Sequence, residues 1–336
     1  MPQPPDETLT RFLLEFGLAR PDEIVRWTAL SGGVSSDIWR ADLPGRSLCI
    51  KRALARLRVA AEWHAPVERN ATEWAWFETV GRIAPDAVPQ LVAHDPEHGL
   101  FAMEFLPQDD FPLWKAQLLA GRVDVSFAGD VGEVLGRIHA TTAGDTKIAS
   151  RFATDTAFHA LRIEPYILAT AKPHVGLRAS LQAIAERTAA TRRVLVHGDV
   201  SPKNILCGPS GPVFLDAETA WYGDPAFDLA FCLNHLALKA IVRPDVIEAL
   251  ALSFAALSAS YFTHVDWEPL AQLQARAVML LPALMLARVD GKSPVEYLDV
   301  AGQRAVRAFA CARLQCEARP LDTFYEDWRH ALAARG

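Results

Sequence analysis

His197-Gly198-Asp199-Val200-Ser201-Pro202-Lys203-Asn204, followed by Phe214-Leu215-Asp216, is the stretch on which the fold of this chain turns. Two short β-rich runs, 194–199 and 213–216, flank a loop, and they are the exception in an otherwise helical region. Segments 113–120, 126–142, 177–191, 227–241, 245–260, 268–287, 293–312 and 321–333 all place apolar residues at helical spacing. Upstream the character differs. Residues 6–16 read as a helix that Gly17 can end, 24–30 as extended, and 37–42 and 47–52 as strands joined by turns at 31–36 and 44–46. A helix over 67–80 and strands at 91–94 and 100–105 follow. The fold class this predicts is α+β and bilobal: an antiparallel-sheet lobe over 1–106, a hinge near 104–110, and a larger, mainly helical lobe over 107–336.

The central loop carries the chemistry. Moving a phosphoryl group onto an alcohol takes a carboxylate that orients the hydroxyl and accepts its proton. It also takes oxygen ligands for a Mg2+ ion that bridges the phosphates. Asp199 can be the base and Asn204, five residues on, a ligand; Asp216, closing the next strand, can be the second ligand. Asp and Asn also cap turns. The apolar strand leading to Asp216 and the small lobe upstream favour the catalytic role.

The stretch 194–229 resembles the aminoglycoside phosphotransferase and choline kinase-like superfamily, relatives of the protein kinases. In that superfamily the loop reads H-G-D with an Asn five residues after the Asp, the next strand ends I-D, and G-D-P-x-x-D-L-A follows. Here the last motif is Gly223-Asp224-Pro225-Ala226-Phe227-Asp228-Leu229-Ala230. The resemblance implies a protein-kinase-like fold and an ATP- and Mg2+-dependent small-molecule phosphotransferase. It gives Asp199 as base, Asn204 and Asp216 as metal ligands, and His197, Asp224 and Asp228 as braces of the loop. Asp224 reads equally as a helix N-cap. Lys51, on the strand Cys49-Ile50-Lys51, is similar to the lysine that steadies the α- and β-phosphates; of Glu68, Glu73 and Glu78, Glu73 is its expected helix partner, with Glu68 as the alternative. Ser31, Gly32, Gly33 and Ser35 sit where the family places its phosphate-covering hairpin. Glu104, Phe105 and Leu106 fall at the hinge, where adenine would meet backbone groups, and side chains there do not separate ATP from GTP. Asp216-Ala217-Glu218 replaces D-F-G and no A-P-E segment follows, which argues against a protein substrate. Lys203 is either a γ-phosphate contact or a surface residue.

The acceptor is read more loosely. Trp221 is a candidate wall for its site or a core residue. Arg288 and Asp290, at the end of the longest apolar helix, either line the site or cap that helix with solvated charge. Asn234 and His235 read as satisfied core polar groups. Residues 1–107 hold 11 Lys/Arg against 15 Asp/Glu, and residues 108–336 hold 23 against 25. A lobe so nearly balanced favours a sugar, amino alcohol or similar neutral to modestly charged metabolite over a polycationic aminoglycoside. An antibiotic phosphotransferase and a catalytically silent nucleotide-binding regulator are the alternatives; intact Lys51, Asp199, Asn204 and Asp216 weigh against the latter.

The 336 residues carry a net charge of −6 with no Lys/Arg block, which makes nucleic acid a poor partner. The five cysteines are scattered and form no zinc pattern. The N-terminal residues lack the pattern of a signal peptide, and the longest uninterrupted apolar run, 277–287, is short for a membrane span. A cytoplasmic location without membrane contact is the expectation; oligomeric state is left open.

Overall fold

The structure, a computed structural model, describes residues 5–30, 36–54, 69–316 and 319–333. Ser31, Gly32, Gly33, Ser35 and Glu68 lie outside the described residues. The chain opens with α1 (Glu7–Glu15), whose N-cap Asp6 accepts from the Leu9 N–H. Strands β1 (Arg26–Ala29), β2 (Ser36–Leu43) and β3 (Arg46–Ala53) form an antiparallel meander. After α2 (Arg69–Gly81), β4 (Leu91–Asp95) and β5 (Leu100–Glu104) complete a five-stranded sheet in the order β1-β2-β3-β5-β4.

The two-residue period of strands divides this sheet into two faces. Leu48, Ile50, Leu100 and Ala102 share a core with Leu9, Phe12 and Leu13 of α1. Cys49, Phe101 and Met103 point the other way, into the main core with Trp76, Phe77 and Val80 of α2. Lys51 has the parity of Cys49, so the alternation that builds the core also aims its ammonium at α2.

The second half contains α3 (Trp114–Leu119), α4 (Val125–Thr142), α5 (Thr146–Arg151) and α6 (Asp155–Phe158). A π-helical stretch, His159–Leu168, leads to α7 (Ala169–Ala171) and α8 (Arg178–Ala190). Two small antiparallel pairs follow: β6 (Val194–Val196) with β9 (Trp221–Gly223), and β7 (Ile205–Gly208) with β8 (Gly211–Phe214). The rest is α9 (Pro225–Val242), α10 (Ile247–Phe262), α11 (Leu270–Asp290), α12 (Val300–Gln315) and α13 (Phe324–Ala333).

Three expectations need correction. The stretch 143–177 is largely helical although no period announced it; wide π turns and Pro165 inside the helix spoil the 3.6-residue repeat. The helix expected over 293–312 starts only at Val300, where Asp299 caps it by accepting from the Gly302 N–H at 2.7 Å. Finally, Pro225–Val242, Pro244–Phe262 and Leu270–Asp290 are long and apolar enough to cross a membrane by length and composition. Helices tolerate an isolated charge that ends an uninterrupted apolar run, so the run at 277–287 understates them. Within this fold the protein itself covers most of α9 and α11, burying 89% and 67% of their most apolar windows.

Candidate active site

The loop between β6 and β7 is held from below. The Asp228 carboxylate accepts from both the His197 N–H at 2.7 Å and the Gly198 N–H at 2.8 Å. The imidazole of His197 pins it from the side: its Nε2–H donates to the Leu215 carbonyl at 3.1 Å, and its Nδ1 accepts from the Asp199 N–H at 3.1 Å. This is a neutral imidazole with a fixed tautomer. Burial disfavours its charged form and lowers its pKa. Gly198 adopts φ +81°, and a Cβ there would stand 2.7 Å from the Thr219 carbonyl oxygen. Conformation and close packing therefore both require glycine.

So braced, the loop presents a buried Asp199. Its Oδ2 accepts two cations, Arg162 Nη2 and Lys203 Nζ, each at 3.0 Å. Its Oδ1 is buried without a hydrogen-bond partner. Burial alone would raise the pKa of this group, but Lys203 and Arg162 hold it below the usual carboxylate range. Asn204 donates through Nδ2 to the Asp199 carbonyl at 3.1 Å, so its Oδ1 faces away from that bond.

Asp216 comes to the same place from the end of β8. It stands at φ 66°, alone among the described non-glycine residues in positive φ. Asp tolerates that region better than most residues do, yet the conformation still costs roughly 1 kcal/mol or more. The Asp216 N–H donates to Glu73 at 3.1 Å, and its carboxylate takes Lys51 Nζ at 2.6 Å. Lys51 also pairs with Glu73 at 2.7 Å. One buried ammonium thus holds two carboxylates. Burial and the charge of Asp216 push Glu73 up to about 7 despite Lys51. Asp216 lies below the usual range because Lys51 and Lys203 outweigh its burial.

Helical phase explains why Glu73 is the partner. Glu73, Trp76, Phe77 and Val80 fall at i, i+3, i+4 and i+7 on the buried face of α2. Glu78, five residues on, is turned about 140° away; it pairs with Arg82 and Arg151 on the surface.

Four expected site residues lie elsewhere or act differently. The side-chain partners of Asp224 among the described residues lie outside the loop: it caps α9, accepting from the Ala226 N–H at 3.0 Å, and pairs with Arg276 at 3.0 Å. Burial pushes it up to about 6 against the pull of Arg276. Trp221 is core, stacked on Phe158 at 4.2 Å, because β9 is covered on both faces. Asp290 is clamped between His174 and Arg307, both at 2.8 Å, on the α12 side. Arg288 is neither solvated nor paired with Asp290: it is buried over the Tyr166 ring and donates to the Tyr166 hydroxyl at 3.3 Å. At the hinge, Glu104 accepts from the Gln90 N–H at 2.9 Å and Phe105 lies under Arg40.

Sequence reasoning missed Arg162, Tyr166 and Glu218. Arg162 hides in the π-helical stretch; its one signal is a lone cation among Leu161, Ile163 and Ile167. Glu218, two residues past Asp216, takes Arg69 at 2.9 Å, an ion pair between α2 and the strand end. His235 and Asn234 are less satisfied than expected, since His235 Nε2 and Asn234 Oδ1 are buried without partners.

Hard oxygen donors from one amide and one carboxylate suit Mg2+, which is usually held by one or two carboxylates plus substrate phosphates. Among the described residues no group of three His, Cys, Asp or Glu forms an all-protein cage. Asn204 and Asp216 fit such an ion.

The model of the phosphotransferase enzyme family matches residues 26–273. Curated methylthioribose kinases are similar to the chain. That of Bacillus pumilus is 25% identical over 226 residues, covering 60% of this chain and 56% of the relative. That of Escherichia coli is 24% identical over 233 residues, covering 59% and 54%. The chain thus spans little more than half the length of these relatives. Among solved structures, the amicoumacin kinase hAmiN in complex with AMP-PNP, Ca2+ and Ami shares the fold, with TM-score 0.55, 14% identity and 96% and 97% coverage. An ethanolamine kinase of Plasmodium vivax does so with TM-score 0.52, 12% identity and 99% and 91% coverage. The bilobal architecture is that of these kinases, and the chain belongs to the phosphotransferase enzyme family.

Proposed function

We propose that this chain transfers the terminal phosphoryl group of ATP to a hydroxyl of a small, sugar-like metabolite, with Asp199 as base. The observation that carries this reading is the state of the Asp199 carboxylate. One oxygen is neutralised by Arg162 and Lys203. The other is buried with no partner, and a buried acceptor of this kind calls for a donor from substrate. An alcohol proton supplies it.

Asp199 then accepts that proton as the acceptor oxygen bonds to phosphorus, and the diphosphate leaves with the electron pair of the broken P–O bond. The carboxylate is ionised at neutral pH because two cations face it. Asn204 and Asp216 would hold Mg2+, which supplies charge neutralisation between the phosphates. Lys51, positioned by Glu73, faces the same region and would steady the phosphates; Glu104, Phe105 and Leu106 would border the base. Asp228 and His197 act through the loop and touch no reactant.

The sugar-like acceptor draws support from the methylthioribose kinases at about a quarter identity. The reading is tested by an ADP-release screen over sugars, amino alcohols, nucleosides and aminoglycosides. Turnover that depends on both a hydroxyl acceptor and Asp199 is expected. Activity near wild type in Asp199→Asn would remove the assigned mechanism. Selective turnover of an antibiotic would move the chain to the resistance branch.

A further inference from the structure

Beyond Asp199, away from Lys51 and Glu73, lies a second set of buried basic groups. Arg162, which pairs with Asp199, packs on the Tyr166 ring with Cζ 5.8 Å from the centroid. Arg288, from α11, covers the same ring at 5.6 Å and donates to its hydroxyl. Phe231 packs on Tyr166 and also on His235, with centroid distances of 5.5 Å in both cases. One turn further along α9, Lys239 Nζ sits 5.0 Å from the Tyr297 ring. Asp228, His235 and Lys239 fall at i, i+7 and i+11 of α9, one face of the helix. The face that braces the catalytic loop therefore continues into this cluster, and His235 lies about 10 Å along the axis from Asp228.

Arg162 has Asp199 as its counter-charge; the groups beyond it are differently placed. Among the described residues Arg288 donates only to neutral oxygens, those of Tyr166 and Ser293. Among the described residues neither Arg288 nor Lys239 forms an ion pair, although Lys239 is only 1% exposed. The nearby carboxylate, Glu296, is taken by Lys115. Arg288 Nε, His235 Nε2 and the Tyr297 hydroxyl are all buried without partners. Burying unpaired cations is expensive, and natural folds compensate them. The field of Arg288, Lys239, Lys203 and Lys115 adds to burial in keeping His235 neutral. Lys203, with 45% of its side chain exposed, and the exposed Glu296 mark where the region meets solvent.

We propose that the acceptor carries an oxyanion, a carboxylate or phosphate, seated on Arg288, Lys239 and His235 while its hydroxyl reaches Asp199. The substrate class is then a hydroxy acid, sugar acid or sugar phosphate, and amines are disfavoured because they would meet like charge. This rests on the phosphotransferase reading above and revises the neutral or amino-alcohol acceptor expected from overall charge balance. Lobe-wide counts average over the surface, whereas the buried cluster is local.

The test uses the full chain and ADP release with two matched sets. Glycerate, gluconate, glycerol 3-phosphate and glucose 6-phosphate are set against glycerol, glucose, ethanolamine and glucosamine. An anionic acceptor should exceed its neutral counterpart in kcat/KM, and the carboxylate and phosphate arms separate the two sources of charge. Arg288→Gln and Lys239→Met should each raise the KM of that acceptor roughly 10–100-fold and leave the KM for ATP unchanged. Preference for a neutral or amine acceptor, with both variants indifferent, overturns the oxyanion seat and leaves the phosphotransferase reading standing. Turnover of no compound in either set counts against the oxyanion-bearing acceptor alone, since nucleosides and antibiotics remain as acceptors for phosphoryl transfer. Sulfate then probes the seat directly. A larger Tm rise in wild type than in the Arg288→Gln/Lys239→Met protein upholds it, and equal rises overturn it.

Discussion

Two buried lysines show opposite solutions to the same electrostatic problem. Lys51, on β3, has Glu73 and Asp216 within 2.7 Å, and its ammonium is stabilised well above the ordinary lysine range against the effect of burial. Lys239, on α9, has an aromatic ring and other cations around it, and burial together with Lys115 and Arg288 pulls it down to about 7. The first is a finished network that positions groups. The second has no carboxylate paired with it among the described residues. The lesson is that pairing, more than burial, separates a structural charge from one that awaits a ligand.

The largest effect should come from the group between the two clusters. Asp199→Asn should lower kcat about 10³-fold or more, measured by ADP release at a temperature where the variant is folded; thermal melting should show a lower Tm, because the buried Arg162 loses its counter-charge. A modest loss would leave the cations around it without their catalytic meaning. Next, Lys51→Met should destabilise the fold by about 3 kcal/mol or more in urea unfolding, because it strands Glu73 and Asp216. An unchanged midpoint would show that the finished network is not what holds α2 to β3.

The same substitution at the other lysine should have the opposite sign. The folded Lys239 titrates near 7 against 10.5 for an ordinary lysine. Between those values the unfolded chain binds more protons than the folded one, so stability rises with pH across that window, by up to about 1.4 kcal/mol per pH unit. Lys239→Met should therefore exceed wild type in stability most at and below pH 7, and the gap should close toward pH 10. A parallel pH dependence in the two proteins would show that Lys239 is compensated after all. The smallest effect is expected at Asp290→Asn, which breaks partly exposed pairs with His174 and Arg307. It should cost about 1 kcal/mol or less and leave the acceptor KM unmoved, in contrast to Arg288→Gln two residues away.

Much of the first cluster was legible in the sequence. Strand alternation puts Lys51 on the Cys49 face, and helical phase selects Glu73 over Glu78. The spacing of Asp199, Asn204 and Asp216 survives because one loop and one strand carry all three. Asp228 was legible through its motif; of the two readings open to Asp224 in the same motif, the helix cap is the one observed, and its pairing with Arg276 was not legible. A motif preserves position but not the partner a side chain meets. Trp221 shows the same limit: its place after Asp216 is local, but its burial depends on Phe158.

The second cluster was largely illegible. Arg162 sits in a stretch whose π turns erase the period that would have marked a helix. Arg288 and Asp290 adjoin in sequence yet face different neighbours, Tyr166 and Arg307.

By itself the sequence determined the bilobal α+β layout and the loop that carries Asp199 and Asn204 toward Asp216, since hydrophobic period and residue spacing are local properties. The tertiary structure alone decided which charges are neutralised. Lys51 finds Asp216 across 165 residues, and Arg288 and Lys239 find no carboxylate among the described residues. Charge pairing depends on distance in space, to which chain separation is blind, and it is that distance that turned an apolar helix with one lysine into a candidate seat for an anion.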